Sequence, residues 1–172
     1  LPTLPSITVT RRQIQTEIEQ VIAPAEEVSA YPLFTKPANL GSSVGVTRCN
    51  THSDLYEGLL EAARYDRRVV IEKGLVPARE IEVSVLGNDQ PQASVPGEII
   101  PGEDFYTYSA KYLSNASKLI IPAPLPADVT AEIQRIAITA YQAIDCAGMA
   151  RVDFLLNAND LSIFISEINT IP

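Results

Sequence analysis

Apolar positions recur along this chain at two spacings, and the switches between them lay out its elements. Ile14, Ile18, Val21 and Ile22 share one face at the helical period, and Thr10 stands three residues before Gln13 as in a capping box. A first helix is therefore expected from about Thr10 until Pro24 closes it. Tyr31 to Lys36 reads as a short strand bounded by Pro37, which cannot donate to a central ladder. Leu55, Leu59 and Ala62 or Ala63 mark the inner face of a second helix, and Arg68 to Ile71 and Glu80 to Leu86 follow as strands, the latter turning at Gly87-Asn88-Asp89. A third helix is expected with Pro126 at its first position, Asp128 in its first turn, an inner face of Val129, Ile133, Ile136, Ala140 and Ile144, and Gly148 just past its end. Two closing strands, Ala150 to Leu156 and Leu161 to Asn169, flank the turn-prone Asn157-Ala158-Asn159-Asp160 and predict a β-hairpin.

Two stretches lack periodicity. Gly41-Ser42-Ser43-Val44-Gly45 combines permissive backbones with hydroxyls and reads as a turn. Residues 96 to 126 are rich in proline, aromatic and polar residues, and predict a long loop of the kind that carries function. Strands alternating with helices and ending in a hairpin point to an α+β or mixed α/β fold, with helices packed on largely antiparallel sheets.

Composition narrows the function classes. With 172 residues, 46% of them apolar, the chain can bury one core or two smaller ones. A formal charge of −8 repels a polyanion, which argues against nucleic-acid binding and leaves room for a small anion where cations cluster. Cys49 and Cys146 stand far apart and His52 is the single histidine, so no zinc ligand set exists. No stretch of about 20 apolar residues occurs, and the opening residues do not form a signal peptide, so a cytoplasmic protein without membrane contact is expected. A first residue of Leu and an end directly after a strand pattern suggest a piece of a longer protein.

The chemistry concentrates in Arg151-Val152-Asp153 and Glu167-Ile168-Asn169, because residues two apart on a strand share a face. If the hairpin pairs Asp153 opposite Glu167, Arg151 falls opposite Asn169 and all four side chains converge. Two carboxylates and an amide oxygen suit a hard cation such as Mg²⁺, and an adjacent Arg suits an oxyanion. The bland alternative is an exposed hairpin face with a surface ion pair. Lys36 and the glycine-serine turn supply groups that can wrap phosphate oxygens, although the spacing is not that of a P-loop. Phe105 to Tyr112 places aromatic residues around Lys111, which suits either partial packing of tyrosine rings or a lid that excludes water.

Taken in order, KPANLGSSVG at Lys36, IEKGL at Ile71, REIEVSVLG at Arg79, VPGEI at Val95, AKY at Ala110, ARVDF at Ala150 and EINTIP at Glu167 resemble the D-alanine–D-alanine ligase family over essentially the whole chain. The resemblance implies an ATP-grasp fold of the α+β class, with a lid subdomain over residues 1–75 and a catalytic carboxyl-terminal subdomain over 76–172. In that scheme ATP lies between the two. It also implies ATP and Mg²⁺ or Mn²⁺ as cofactors, D-alanine as substrate, and a homodimeric parent enzyme in peptidoglycan precursor synthesis.

By the same resemblance Lys36 contacts phosphate, with Ser42 and Ser43 in the loop over the phosphates. Glu72, Lys73 and Leu75 meet adenine, Glu80 meets the ribose, and Lys111 and Tyr112 belong to the mobile loop. Asp153, Glu167 and Asn169 match the metal ligands, and Arg151 the arginine that offsets charge on the reacting carboxylate. Thr107 and Ser109 depart from the acidic residues often found there. The amino-terminal substrate domain and a glycine-rich turn after Pro172 are expected beyond this stretch, so the piece alone should have weak ligase activity at most. Another ATP-grasp carboxylate–amine ligase, a D-alanine–D-lactate ligase, or a nucleotide-binding module without chemistry are the competing readings. Tyr112 favours the dipeptide.

Overall fold

The computed structural model describes residues 1–101 and 118–170. The chain divides into two compact units, residues 4–75 forming one and residues 1–3, 76–101 and 118–170 the other.

The first unit holds β1 (Ser6–Thr10), α1 (Arg11–Glu26), β2 (Leu33–Pro37), β3 (Thr47–Cys49), α2 (His52–Tyr65) and β4 (Arg68–Lys73). Its strands form one sheet in the order β1-β4-β2-β3, every pair antiparallel. The capping box exists as expected: Gln13 N–H donates to Thr10 Oγ1 while Thr10 N–H donates to the Gln13 side chain at 2.9 Å. Pro24 does not end α1, which runs on to Glu26; its ring lies on the exposed side of the last turn, where its missing N–H removes one bond from an end that already frays. The break in helical geometry comes instead at Glu17, with φ −147°. Thr51 caps α2 by accepting from Asp54 N–H. Both helices bury their apolar stripes against one sheet face, where Ile14, Ile22, Leu33, Leu55, Leu59, Val69 and Ile71 close the core. The other face of β2 and β4 carries Phe34, Lys36, Val70 and Glu72, each half-buried.

The second unit holds β5 (Ala78–Gly87), β6 (Gln92–Ala93), β7 (Gly97–Ile100), β8 (Lys118–Ile120), α3 (Ala127–Ala143), β9 (Gly148–Asn157) and β10 (Ile163–Asn169). The sheet runs β10-β9-β5-β7-β8, antiparallel throughout, with β6 paired to β5. The expected long loop of 96 to 126 is therefore overturned at both ends, since β7 and β8 pair as Glu98↔Ile120, Ile99↔Leu119 and Ile100↔Lys118. α3 covers one sheet face with Ile133, Ile136, Ala137, Ala140 and Tyr141. The buried Tyr141 hydroxyl finds its acceptor in Gly87 O at 2.6 Å. Two details of the α3 expectation are corrected. Pro126 is the cap residue rather than the first helical one, and Ile144 lies past the helix end and is half exposed. Gly148 opens β9, the turn out of the helix falling to Asp145 with φ 52°.

Candidate functional site

Alternation along β5 and β9 separates the sheet into an apolar and a polar face. Ile81, Val83, Val85, Ala150, Val152, Phe154 and Leu156 are buried under α3, so Glu80, Glu82, Ser84, Arg151 and Asp153 point the other way. The hairpin pairs Glu167 with Asp153 and Asn169 with Arg151, the register on which convergence of the four side chains depends. β5 flanks β9 on its other side, with Glu82 opposite Asp153 and Ser84 opposite Arg151. Three carboxylates therefore stand in one row across three strands, with an arginine and an amide in the next.

Plain alternation on β10 would not produce this arrangement. Ile165 pairs with the buried Phe154 and is itself buried, so strict alternation sends Glu167 inward as well. The register shifts between Ile165 and Glu167, making Ser166 an extra residue, a β-bulge that reverses the phase of the strand. Beyond it Ile168 packs on the core while Glu167 and Asn169 join the polar face.

On that face Arg151 grips Asp153 with both prongs, Nε to Oδ1 and a terminal N–H to Oδ2, each at 2.7 Å. Asn169 Nδ2 donates to Asp153 Oδ2 at 3.0 Å and to Glu167 Oε1 at 3.3 Å, so one amide nitrogen touches both carboxylates. The Asp153 bonds hold the Arg151 guanidinium above its ordinary range. Burial works against them, and the charges of Asp153, Glu82 and Glu167 add to them. Among the described residues no three carboxylate, histidine or cysteine side chains stand together as a metal cluster. The donor set that fits a hard dication is two carboxylates and an amide. Asp153 and Glu167 supply anionic oxygens, and a half-turn of the Asn169 amide puts its oxygen where the nitrogen now bridges them.

The first unit supplies a different chemistry. Lys36 Nζ lies 2.7 Å from Glu72 Oε2, joining the half-buried polar residues of β2 and β4. Between β2 and β3 the chain turns at Gly41–Val44, with Val44 N–H donating to Gly41 O at 3.2 Å and both central residues, Ser42 (φ 56°) and Ser43 (φ 58°), in the left-handed region. Two serines held there without glycine's freedom mark local strain of the kind concentrated at ligand-binding turns. Gly45 continues the bend at φ 70°, where a Cβ would meet the Tyr65 ring at 2.6 Å. Lys73 N–H donates to Pro5 O at 2.9 Å, tying the end of β4 to the segment before β1. Leu75 follows Gly74, whose N–H donates to Pro32 O at 2.8 Å.

Arg151, Asp153, Glu167 and Asn169 are thus brought into contact, as are Lys36 and Glu72, while Glu80 sits two residues from Glu82 on the same face. Lys111 and Tyr112 lie outside the described residues. Sequence reasoning missed Glu82, 3.4 Å from Arg151 Nε. Its even spacing from Glu80 was a legible signal that both face one way.

Comparison with known proteins places these residues in a family setting. A family model described as the D-ala D-ala ligase C-terminus matches residues 1–172. A D-alanine–D-alanine ligase of Heliobacterium modesticaldum is 50% identical over 172 residues, covering 100% of this chain and 47% of the relative. One from Acetivibrio thermocellus is 49% identical over 163 residues, covering 95% and 43%. The chain spans about half the length of the curated relatives it matches. Among solved structures, the D-alanine–D-alanine ligase from Coxiella burnetii superposes with a TM-score of 0.79 at 35% identity, covering 100% of this chain and 43% of that one. The VanG D-Ala:D-Ser ligase from Enterococcus faecalis does so at 0.83 and 31%, covering 100% and 48%.

Proposed function

Since the chain belongs to the D-alanine–D-alanine ligase family, as its carboxyl-terminal part, we propose that the full-length protein joins two D-alanine molecules at the expense of ATP, in the cytoplasm. The observation that carries this reading is the hairpin register, which sets Asp153, Glu167, Asn169 and Arg151 on one face. In the proposed reaction a carboxylate oxygen of the first D-alanine attacks the γ-phosphorus and ADP leaves. The amine of the second then attacks the acyl carbon, phosphate departs, and the amine gives up its proton.

Asp153, Glu167 and Asn169 would hold the magnesium, which when bound offsets negative charge on the transferring phosphoryl group. Arg151 offsets the charge of the reacting carboxylate and then of the leaving phosphate. Lys36 and the N–H groups of the Ser42-Ser43 turn take phosphate oxygens, Glu72, Lys73 and Leu75 the adenine, and Glu80 the ribose hydroxyls. Lys111 and Tyr112 are assigned by family resemblance to the segment that excludes water, so that the acyl phosphate meets an amine instead of hydrolysing.

The test is ADP release and dipeptide formation by the full chain with ATP, Mg²⁺ and D-alanine. Asp153→Asn and Glu167→Gln should each slow phosphoryl transfer by about a hundredfold with the thermal midpoint held. Wild-type turnover in both variants would overturn the site assignment, and ATP binding without product would leave a nucleotide-binding module. Because one similar structure is a D-Ala:D-Ser ligase by name, D-serine and D-lactate belong in the assay as competing second substrates. Preference for either would replace D-alanine there.

A further inference from the structure

The grip of Arg151 on Asp153 conflicts with the metal role just proposed for that carboxylate. Both Asp153 oxygens already accept guanidinium hydrogens at 2.7 Å, and a bound dication repels the same guanidinium. For Asp153 to serve as a ligand, Arg151 needs another anion within reach. Glu167 is a poor choice, since it belongs to the same ligand set and is tied to Asn169. Glu82 is suited to it. Its Oε1 lies 3.4 Å from Arg151 Nε, about half an ångström beyond a charge-assisted hydrogen bond. It reaches the arginine from β5, on the side of β9 away from Glu167.

We propose that Glu82 is a positioning residue that draws Arg151 off Asp153, freeing the aspartate for the divalent ion and holding the arginine beside it. The inference rests on the metal-site reading given under Proposed function. Glu82 removes the competitor and, in the same movement, keeps the cation that the reaction requires at the edge of the site. Its carboxylate also lowers the electrostatic cost of placing a guanidinium next to a dication.

Mn²⁺ binding to the full chain, read by the electron-paramagnetic signal of free Mn²⁺ with no turnover involved, tests this. Glu82→Gln should weaken Mn²⁺ about tenfold while Arg151 is present, because the arginine then stays on Asp153. In an Arg151→Gln background the same change should cost nothing, and Arg151→Gln alone should tighten Mn²⁺. Glu82→Asp, which keeps the charge and shortens the reach, should fall between Glu82→Gln and wild type. Equal weakening by Glu82→Gln in both backgrounds would show direct ligation or simple charge attraction and overturn the inference while leaving the metal site intact. Failure of Asp153→Asn to alter Mn²⁺ affinity would remove the metal site itself, and this inference with it.

Discussion

Arg79 and Glu98 show what a buried ion pair does at the scale of single residues. Arg79 reaches from β5 to Glu98 on β7 with two bonds of 2.7 and 2.8 Å and adds a third to Pro124 O at 3.2 Å. The bond from Glu98 raises the guanidinium above its usual range, and burial only partly opposes it. Glu98→Ala would leave that guanidinium without its anion and should cost about 3 kcal/mol in urea unfolding; a loss below about 1 kcal/mol would mean that solvent replaces the partner. The same scale shows what pattern can and cannot reveal. Arg151, Asp153, Glu167 and Asn169 were legible because parity along a strand is local information. The arginine-to-Glu82 and Lys36-to-Glu72 contacts were not, because they depend on which strands become neighbours, and residues 69 and 36 positions apart carry no local sign of it.

Among the elements, the bulge at Ser166 has the largest effect on the site. Removing Ser166 would make Glu167 the direct neighbour of the inward-facing Ile165, so plain alternation alone should keep Glu167 and Asn169 on the polar face opposite Asp153 and Arg151. The expected result is a folded protein that has lost the bulge and still binds Mn²⁺, and loss of affinity with the fold intact would show that Ser166 does more than set the phase of the strand. Alternation counts predict strands but not a single inserted residue, so the proposed register was legible and its mechanism was not. At the start of α2, Asp54 accepts from Asn50 N–H at 2.8 Å, a bond that holds its carboxyl below the ordinary 3.8. A depressed folded value means that this contribution is complete above the ordinary value and disappears as pH falls through the depressed one. Thermal midpoints of wild type and Asp54→Asn should therefore differ at about pH 6 and converge toward about pH 2; a constant gap would contradict this. The three amphipathic helices and the hairpin were readable from periodicity. β1, β3, β7 and β8 were not, since strands of three to five residues make too few alternations to stand out.

At the scale of the whole molecule, composition left one core or two open, and the described residues build two, one sheet packed under α1 and α2 and the other under α3. The α+β class was legible from the order of elements; the placement of residues 1–3 was not, because three residues are too few to show a period. They belong with the second unit, where Ile165 N–H donates to Pro2 O at 2.9 Å and Thr3 bridges Ile165 in parallel. Ile165 is the last residue before the bulge, on a strand at the rim of its sheet. Cloning boundaries therefore matter. A recombinant version begun at Leu4 would strip the cover from that rim and leave it open to pairing with another molecule. Such a preparation should self-associate in sedimentation and bind Mn²⁺ less tightly, whereas one begun at Leu1 should not, so the first three residues deserve care in expression design as partners of a strand that carries Glu167 two positions beyond Ile165.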